Sequence, residues 1–373
     1  MLNRRSLIQG LGLAAVAPMA YAKDRPNVPV GAIRWDAWYA PGSTITEAVA
    51  KTLGATEYAG RIPTFGSHCS ETLACFPRIS QSQIDMEIDM AAAAGLDFWA
   101  FMAYQKGHPM HLAFQHYLQS QSASKINFSL ICSAGRFMND QSLIDDHSKL
   151  LAHPGYQKSA TGLPLYSIFI SNKGTAPSSG MNKLQETIEA FRMMARNKSR
   201  TRVEIAALLA PGTEPSSELM RAGFDAVGHY SIVCSRAGST FRDLTSCAEA
   251  QWQKDAMTYR ALIPTVMTGW DRRPRMNNPV PWESRPTRQG ISFNQPSAAA
   301  FHAHVGNALR FAVAHPATPA ILIYAWNEFD EGGWLYPTLA DDFDRLGSLK
   351  IALRSASKGS KESNCSGESD GCE

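Results

Sequence analysis

Ala320-Ile-Leu-Ile-Tyr-Ala-Trp326 runs straight into Asn327-Glu-Phe-Asp-Glu-Gly-Gly-Trp334, and this stretch decides the fold. Residues 320–326 are apolar without alternation, the pattern of a strand buried on both faces in a parallel sheet. Seven earlier runs share it: Val28–Trp35, Leu96–Met102, Ile126–Cys132, Leu163–Ile170, Arg202–Leu209, Phe224–Gly228 and Leu262–Met267. Segments with helical spacing or composition separate them. In Ser80–Ala94 the residues Ile84, Ile88 and Ala91 share a face, and Gly95 stops the helix. Met181–Asn197, Asp243–Tyr259 and Pro296–His315 follow, and Lys350–Ser355 reads as the end of a last helix. Eight strand–helix units predict an α/β fold, a single-domain (β/α)₈ TIM barrel over 23–355. A doubly wound open sheet is the alternative. It is weakened because no Gly-rich phosphate turn follows the first strand.

Composition agrees with a globular enzyme-sized chain. Of 373 residues, 44% are hydrophobic and 18% charged, which excludes a disordered chain, a collagen-like repeat or a coiled coil. Lys and Arg number 36 against 33 Asp and Glu, with no basic block, so no nucleic-acid partner is expected. Residues 1–22 combine Arg4-Arg5, a short apolar run and Ala20-Tyr21-Ala22, the pattern of an export signal peptide. The Arg pair suggests the twin-arginine route, although the usual Phe and Lys are missing. Export predicts a periplasmic or secreted protein. No later segment suits a membrane span. Residues 356–373 are polar and read as a disordered tail, and Gly269–Phe293 as one extended loop.

The seven Cys show no zinc spacing. In an oxidising compartment Cys69 could bridge Cys75, and Cys365 could bridge Cys372, while Cys132 reads as a buried thiol. No metal and no cofactor are expected. His302 and His304 cannot share a helix face and read as structural. His108, His111 and His116 read as loop histidines.

A (β/α)₈ barrel carries its site where the strands end. There the sequence offers Trp35, Asp36, Trp38 and Tyr39 after the first strand, Tyr104, Gln105 and Lys106 after the second, Arg136 after the third and Asn172 after the fourth. His229 and Tyr230 follow the sixth, and Trp270, Asp271, Arg273 and Arg275 the seventh. Trp326, Asn327, Glu328, Asp330, Glu331 and Trp334 end the series. Flat aromatic faces with acids and amides suit a carbohydrate. Three acids within four residues raise at least one carboxyl pKa if they share a dry cleft. Glu328 and Glu331 can converge only if the chain turns after Trp326, and Gly332-Gly333 fits a turn. The arginines at 272, 273 and 275 read as salt-bridge partners of that acidic loop.

Together, Gly31-Ala-Ile-Arg-Trp-Asp-Ala-Trp-Tyr39, Ile84-Asp-Met-Glu-Ile-Asp89, Gly95-Leu-Asp-Phe-Trp-Ala-Phe101, Pro264–Arg275 and Ile323–Trp334 resemble the glycoside hydrolase family 99-like barrels. That group includes WbsX-like proteins described as glycosyltransferases. The family pattern is Trp/Tyr-Asn-Glu-Trp-Gly-Glu-Gly, and its characterised members cleave α-mannosides within a chain. The resemblance implies Glu331 as general acid/base and Glu328 as the base for the sugar 2-hydroxyl, with Asn327 positioning substrate. Phe329 and Asp330 depart from the pattern. The expected function is an exported glycoside hydrolase acting on a polysaccharide or glycan. A non-catalytic glycan-binding barrel and a transferase of polysaccharide assembly are the alternatives. The export signal and the missing phosphate loop count against the transferase.

Overall fold

The computed structural model describes residues 27–171, 179–233, 240–283, 291–340 and 344–365. The export signal, Asn172, Cys234 and Cys372 lie outside the described residues. The eight apolar runs form eight strands. These are β1 Val30–Arg34, β2 Phe98–Met102, β3 Asn127–Ser133, β4 Leu165–Ile170, β5 Glu204–Leu209, β6 Ala226–His229, β7 in two pieces, Leu262–Ile263 and Thr265–Met267, and β8 Ile321–Tyr324. Neighbours pair in parallel in chain order from β1 to β6, and the first piece of β7 continues on β6. The second piece pairs with β8 (Thr265 opposite Leu322), and β8 pairs with β1 (Val30 opposite Ile321), which closes the barrel. Pro264 divides β7 because it has no N–H to give the ladder. Its carbonyl still accepts from Leu322 N at 3.1 Å.

The unbroken apolar runs follow from this closure. Barrel strands face side chains inside and helices outside, so both faces are dry. All six residues of β5 are buried. Each buried aliphatic or aromatic side chain contributes roughly 1.5–3 kcal/mol by transfer from water. The helix Gln81–Ala94 starts where Ser80 Oγ accepts from Gln83 N at 3.2 Å and stops at Gly95, as expected. Ser179–Ser199, Phe241–Ala256 and Ala298–Ala314 match the other helical readings.

Three local expectations change. The last helix runs Arg345–Cys365, past residue 355, so part of the segment read as disordered is helical. Residues 366–373 lie outside the described residues. A helix Arg273–Asn277 interrupts the loop expected over Gly269–Phe293, with Pro274 in its first turn. His116 is on the helix Leu112–Gln119, whose Ala113, Phe114 and Tyr117 are buried, and it bonds Gln81 rather than lying in a loop.

Cys69 and Cys75 form a disulfide across the hairpin of Ser67–Ser70 and Leu73–Cys75. Cys247 is also disulfide-bonded, and Cys132 is a buried free thiol. Among the described residues no helix is long and apolar enough to cross a membrane.

Candidate active site

The chain turns directly after β8. Asn327–Glu328 and Gly333–Trp334 form a two-residue antiparallel hairpin, and Phe329–Glu331 make one 3₁₀ turn between its arms. Gly332 caps the turn at φ +85°, where a Cβ would sit 2.3 Å from Asp271 N. A Cβ on Gly269 would sit 2.1 Å from Gly332 O. Only glycine permits this backbone approach. It brings the loops after β7 and β8 together, with Asp271 N donating to Glu331 O at 2.7 Å. Glu328 and Glu331 therefore reach one space.

That space is a cavity of about 520 Å³ at the strand ends. Of the expected residues, Trp35, Tyr104, Tyr230, Trp270, Glu328 and Glu331 line it. Arg136, Arg272 and Arg275, together with Trp282, Glu283 and His108, add to the polar and aromatic wall. Trp35 and Trp282 lie 5.8 Å apart, and Trp282 is 41% exposed, so the cavity offers apolar ring faces of the kind that stack on sugars.

The two glutamates sit in opposite electrostatic settings. Glu331 Oε1 accepts from Arg275 Nη1 and lies 3.2 Å from Arg272 Nε, while its Oε2 accepts from the Tyr324 hydroxyl. Burial pushes Glu331 up, but the two guanidinium groups and the Tyr324 bond outweigh it and hold the carboxyl below its ordinary value. Glu328 Oε1 accepts from the Tyr230 hydroxyl at 2.7 Å. Its Oε2 is buried without a hydrogen bond, and the nearest cation, Arg275 Nη2, is 3.5 Å away. Burial first, then the charge of Glu331, pushes Glu328 well above its ordinary value. Of the two carboxyls, Glu328 is therefore the one biased towards its protonated form and Glu331 the one biased towards its charged form. The resemblance implied Glu331 as the general acid/base; here both arginines favour its charged form.

Arg275 is the hub. It forks onto Asp330 (Nε to Oδ2 2.8 Å, Nη2 to Oδ1 2.9 Å) and donates from Nη1 to Glu283 at 2.9 Å. Its guanidinium lies 4.9 Å from the centre of the Trp35 ring. Arg275 and Arg272 meet the acidic loop as the sequence suggested, whereas Arg273 pairs with Asp271.

Nine residues expected to face substrate do not line the cavity: Asp36, Trp38, Tyr39, His229, Asp271, Trp326, Asn327, Asp330 and Trp334. All are buried, and each is engaged with other residues of the protein. Asp330 turns away to Arg275 and Thr52. Asn327 accepts from Trp35 N at 2.8 Å and donates to Asp36 at 3.0 Å, so it ties β8 to the end of β1. Trp38 Nε1 donates to Asn327 O at 2.8 Å. His229 bonds Asp255 at 2.9 Å, Asp271 bonds Arg61 and Arg273, and the Trp334 ring carries Arg345.

Arg34 and Glu87 hold this supporting layer, and the sequence reading missed the acid. Both are fully buried. Arg34 donates to Asp36 at 2.7 Å, Glu87 at 2.6 Å and Tyr39 at 3.1 Å. Glu87 also accepts from Trp326 Nε1 at 3.0 Å. Burial, only partly offset by Arg34, pushes Asp36 up to about 6. Arg34→Met strands two buried acids and is expected to cost about 3–5 kcal/mol of unfolding free energy. Denaturant unfolding measures this, and an unchanged midpoint would remove the role assigned to Arg34.

Among the described residues no group of three His, Cys, Asp or Glu is placed to hold a metal ion. His304 is buried, accepts from Met267 N at 3.1 Å and bonds Glu249 at 2.7 Å, a structural arrangement.

Comparison with known proteins adds three findings. No curated protein matches the chain. Among solved structures it is similar to the GH99 endo-α-mannosidase from Bacteroides thetaiotaomicron, with TM-score 0.58, 12% identity, and coverage of 91% of this chain and 99% of that one. The same enzyme in complex with bis-tris-propane gives TM-score 0.57 at 12% identity with the same coverage. At that identity the likeness speaks for the barrel alone. Residues 138–347, which carry β4 to β8 and the acidic hairpin, match the family model described as "Glycosyltransferase WbsX". That match covers more than half of the sequence, and the chain thus belongs to the WbsX family, built on a GH99-like (β/α)₈ barrel.

Proposed function

We propose that this protein is a glycoside hydrolase that cleaves a polysaccharide or glycan, with Glu328 and Glu331 as its acid and base. One observation carries the reading: a buried and a partly buried glutamate share an aromatic-walled cavity, one biased towards the proton and the other towards charge. Hydrolysis needs that division. Glu328 gives its proton to the leaving oxygen as the glycosidic C–O bond breaks. Glu331 takes the proton of the attacking oxygen, and water is added across the bond. The TM-score of 0.58 to an endo-α-mannosidase makes an α-mannoside-like, endo-acting substrate the first to test. With residues 1–22 read as an export signal, the proposed compartment is the periplasm or the exterior.

The family description keeps a transferase reading alive. Transfer uses the same pair, with an acceptor hydroxyl in place of water. The test is purified protein with α- and β-linked polysaccharides, products read by mass spectrometry across pH. Hydrolytic fragments are expected. Activity should rise as pH climbs through the value of Glu331, below the ordinary carboxylate range. It should fall as pH passes that of Glu328, well above it. Products extended by an added sugar would favour transfer, and binding without any product would leave a lectin-like barrel.

A further inference from the structure

The cations of this cavity are not equivalent. Arg272 is paired with Glu283 and Glu331, and Arg275 with Asp330, Glu283 and Glu331. Arg136, on the helix Ala134–Asn139 that follows β3, lines the same cavity. Among the described residues no carboxylate lies within ion-pair distance of it. Its guanidinium lies over the Tyr104 ring at 3.9 Å, and Nη1 donates to Ala103 O. Asp140, its nearest acid in sequence, is engaged as a helix cap, accepting from Leu143 N at 2.9 Å. Tyr104 also stacks on His108 at 4.5 Å. Burial and then the charge of Arg136 hold that imidazole below its ordinary value, so Arg136 is the cation of this wall at neutral pH.

A guanidinium has five N–H donors in a planar fork that matches an oxyanion, and the bond to Ala103 O leaves donors of Arg136 to spare. Stacking on Tyr104 fixes its plane, which lowers the entropy lost on binding. Neutral sugar hydroxyls do not require a guanidinium left without an ion-pair partner. We infer that the glycan bound in this cavity carries an anionic substituent, a carboxylate or a sulfate or phosphate ester, held by Arg136 against Tyr104. This rests on the glycan reading above and narrows its substrate class.

The test uses the full chain and calorimetry with matched ligand pairs. Uronate oligosaccharides are paired with their carboxyl-reduced forms, and sulfated and phosphorylated manno-oligosaccharides with their unmodified forms. One anionic class should bind about tenfold or more tightly than its neutral counterpart, the worth of a charge-assisted hydrogen bond. The preference should shrink as salt is raised. Arg136→Gln should bring the ratio close to one, whereas Arg136→Lys, which keeps the charge without the fork, should retain part of it. If Arg136→Gln does not fold, the Lys variant and the salt series carry the test. Equal binding of both members of every pair by the unmodified protein overturns the inference and leaves the glycan reading standing. A ratio that survives Arg136→Gln overturns it too. No binding by any member, neutral or anionic, overturns both.

Discussion

Glu331→Gln is expected to lower turnover of an unactivated glycan by about 10²–10⁴-fold, the contribution of one positioned acid or base. Glu328→Gln should cost a similar factor on that substrate. The two variants should separate on an aryl glycoside with a dinitrophenyl leaving group, which departs without a proton. Glu328→Gln should recover most of its activity there, because only the acid's task has been lost. Glu331→Gln should stay inactive, because the attacking oxygen still has to lose its proton. The opposite split would return the acid's role to Glu331, as the family resemblance implies. Both changes preserve side-chain shape, and thermal unfolding of each variant separates lost chemistry from lost folding.

Arg275→Met should produce a change in stability as large as that of Arg34→Met. Asp330 would lose its fork, and Glu331 and Glu283 would each lose a charge-assisted bond. Leaving a buried carboxylate, here Asp330, without its cation costs about 3–5 kcal/mol. Guanidinium unfolding reads this directly, and an unshifted midpoint would show that the hub is not needed. Arg275→Met with Asp330→Leu should recover part of the loss, since the deepest stranded charge leaves with its partner. In any folded Arg275→Met protein the acidic limb of the activity profile should move upward. Glu331 would have lost one of the two cations that hold its carboxyl down.

The barrel was legible because every strand is buried on both faces and each apolar run is bounded by polar residues. The eight runs needed no long-range information. The last helix was not legible beyond residue 355, because its composition there is polar and offers no apolar stripe. At the site, the convergence of Glu328 and Glu331 could be read from Gly332-Gly333 and the crowding of acids. The direction of Asp330 could not. In a 3₁₀ turn neighbouring side chains point about a third of a turn apart, so adjacent acids part company. Glu87 escaped for a different reason. Its burial depends on Arg34, 53 residues away in sequence, and a lone acid beside Ile88 on a helix reads as surface. Asn327, Trp326 and Trp38 were recognised as important, but their polar atoms serve the layer beneath the cavity.

The closure of the barrel also sets when the site can exist. Trp35 N is bonded to the side chain of Asn327 across 292 residues of chain, and β1 has no second neighbour until β8 arrives. Contacts of such separation are late and slow to form. During synthesis the first strand must wait, unpaired on one side, until Ile321–Tyr324 has emerged. The acidic hairpin follows directly after that strand. The acid and the base are therefore added to a cavity whose other walls have already been synthesised.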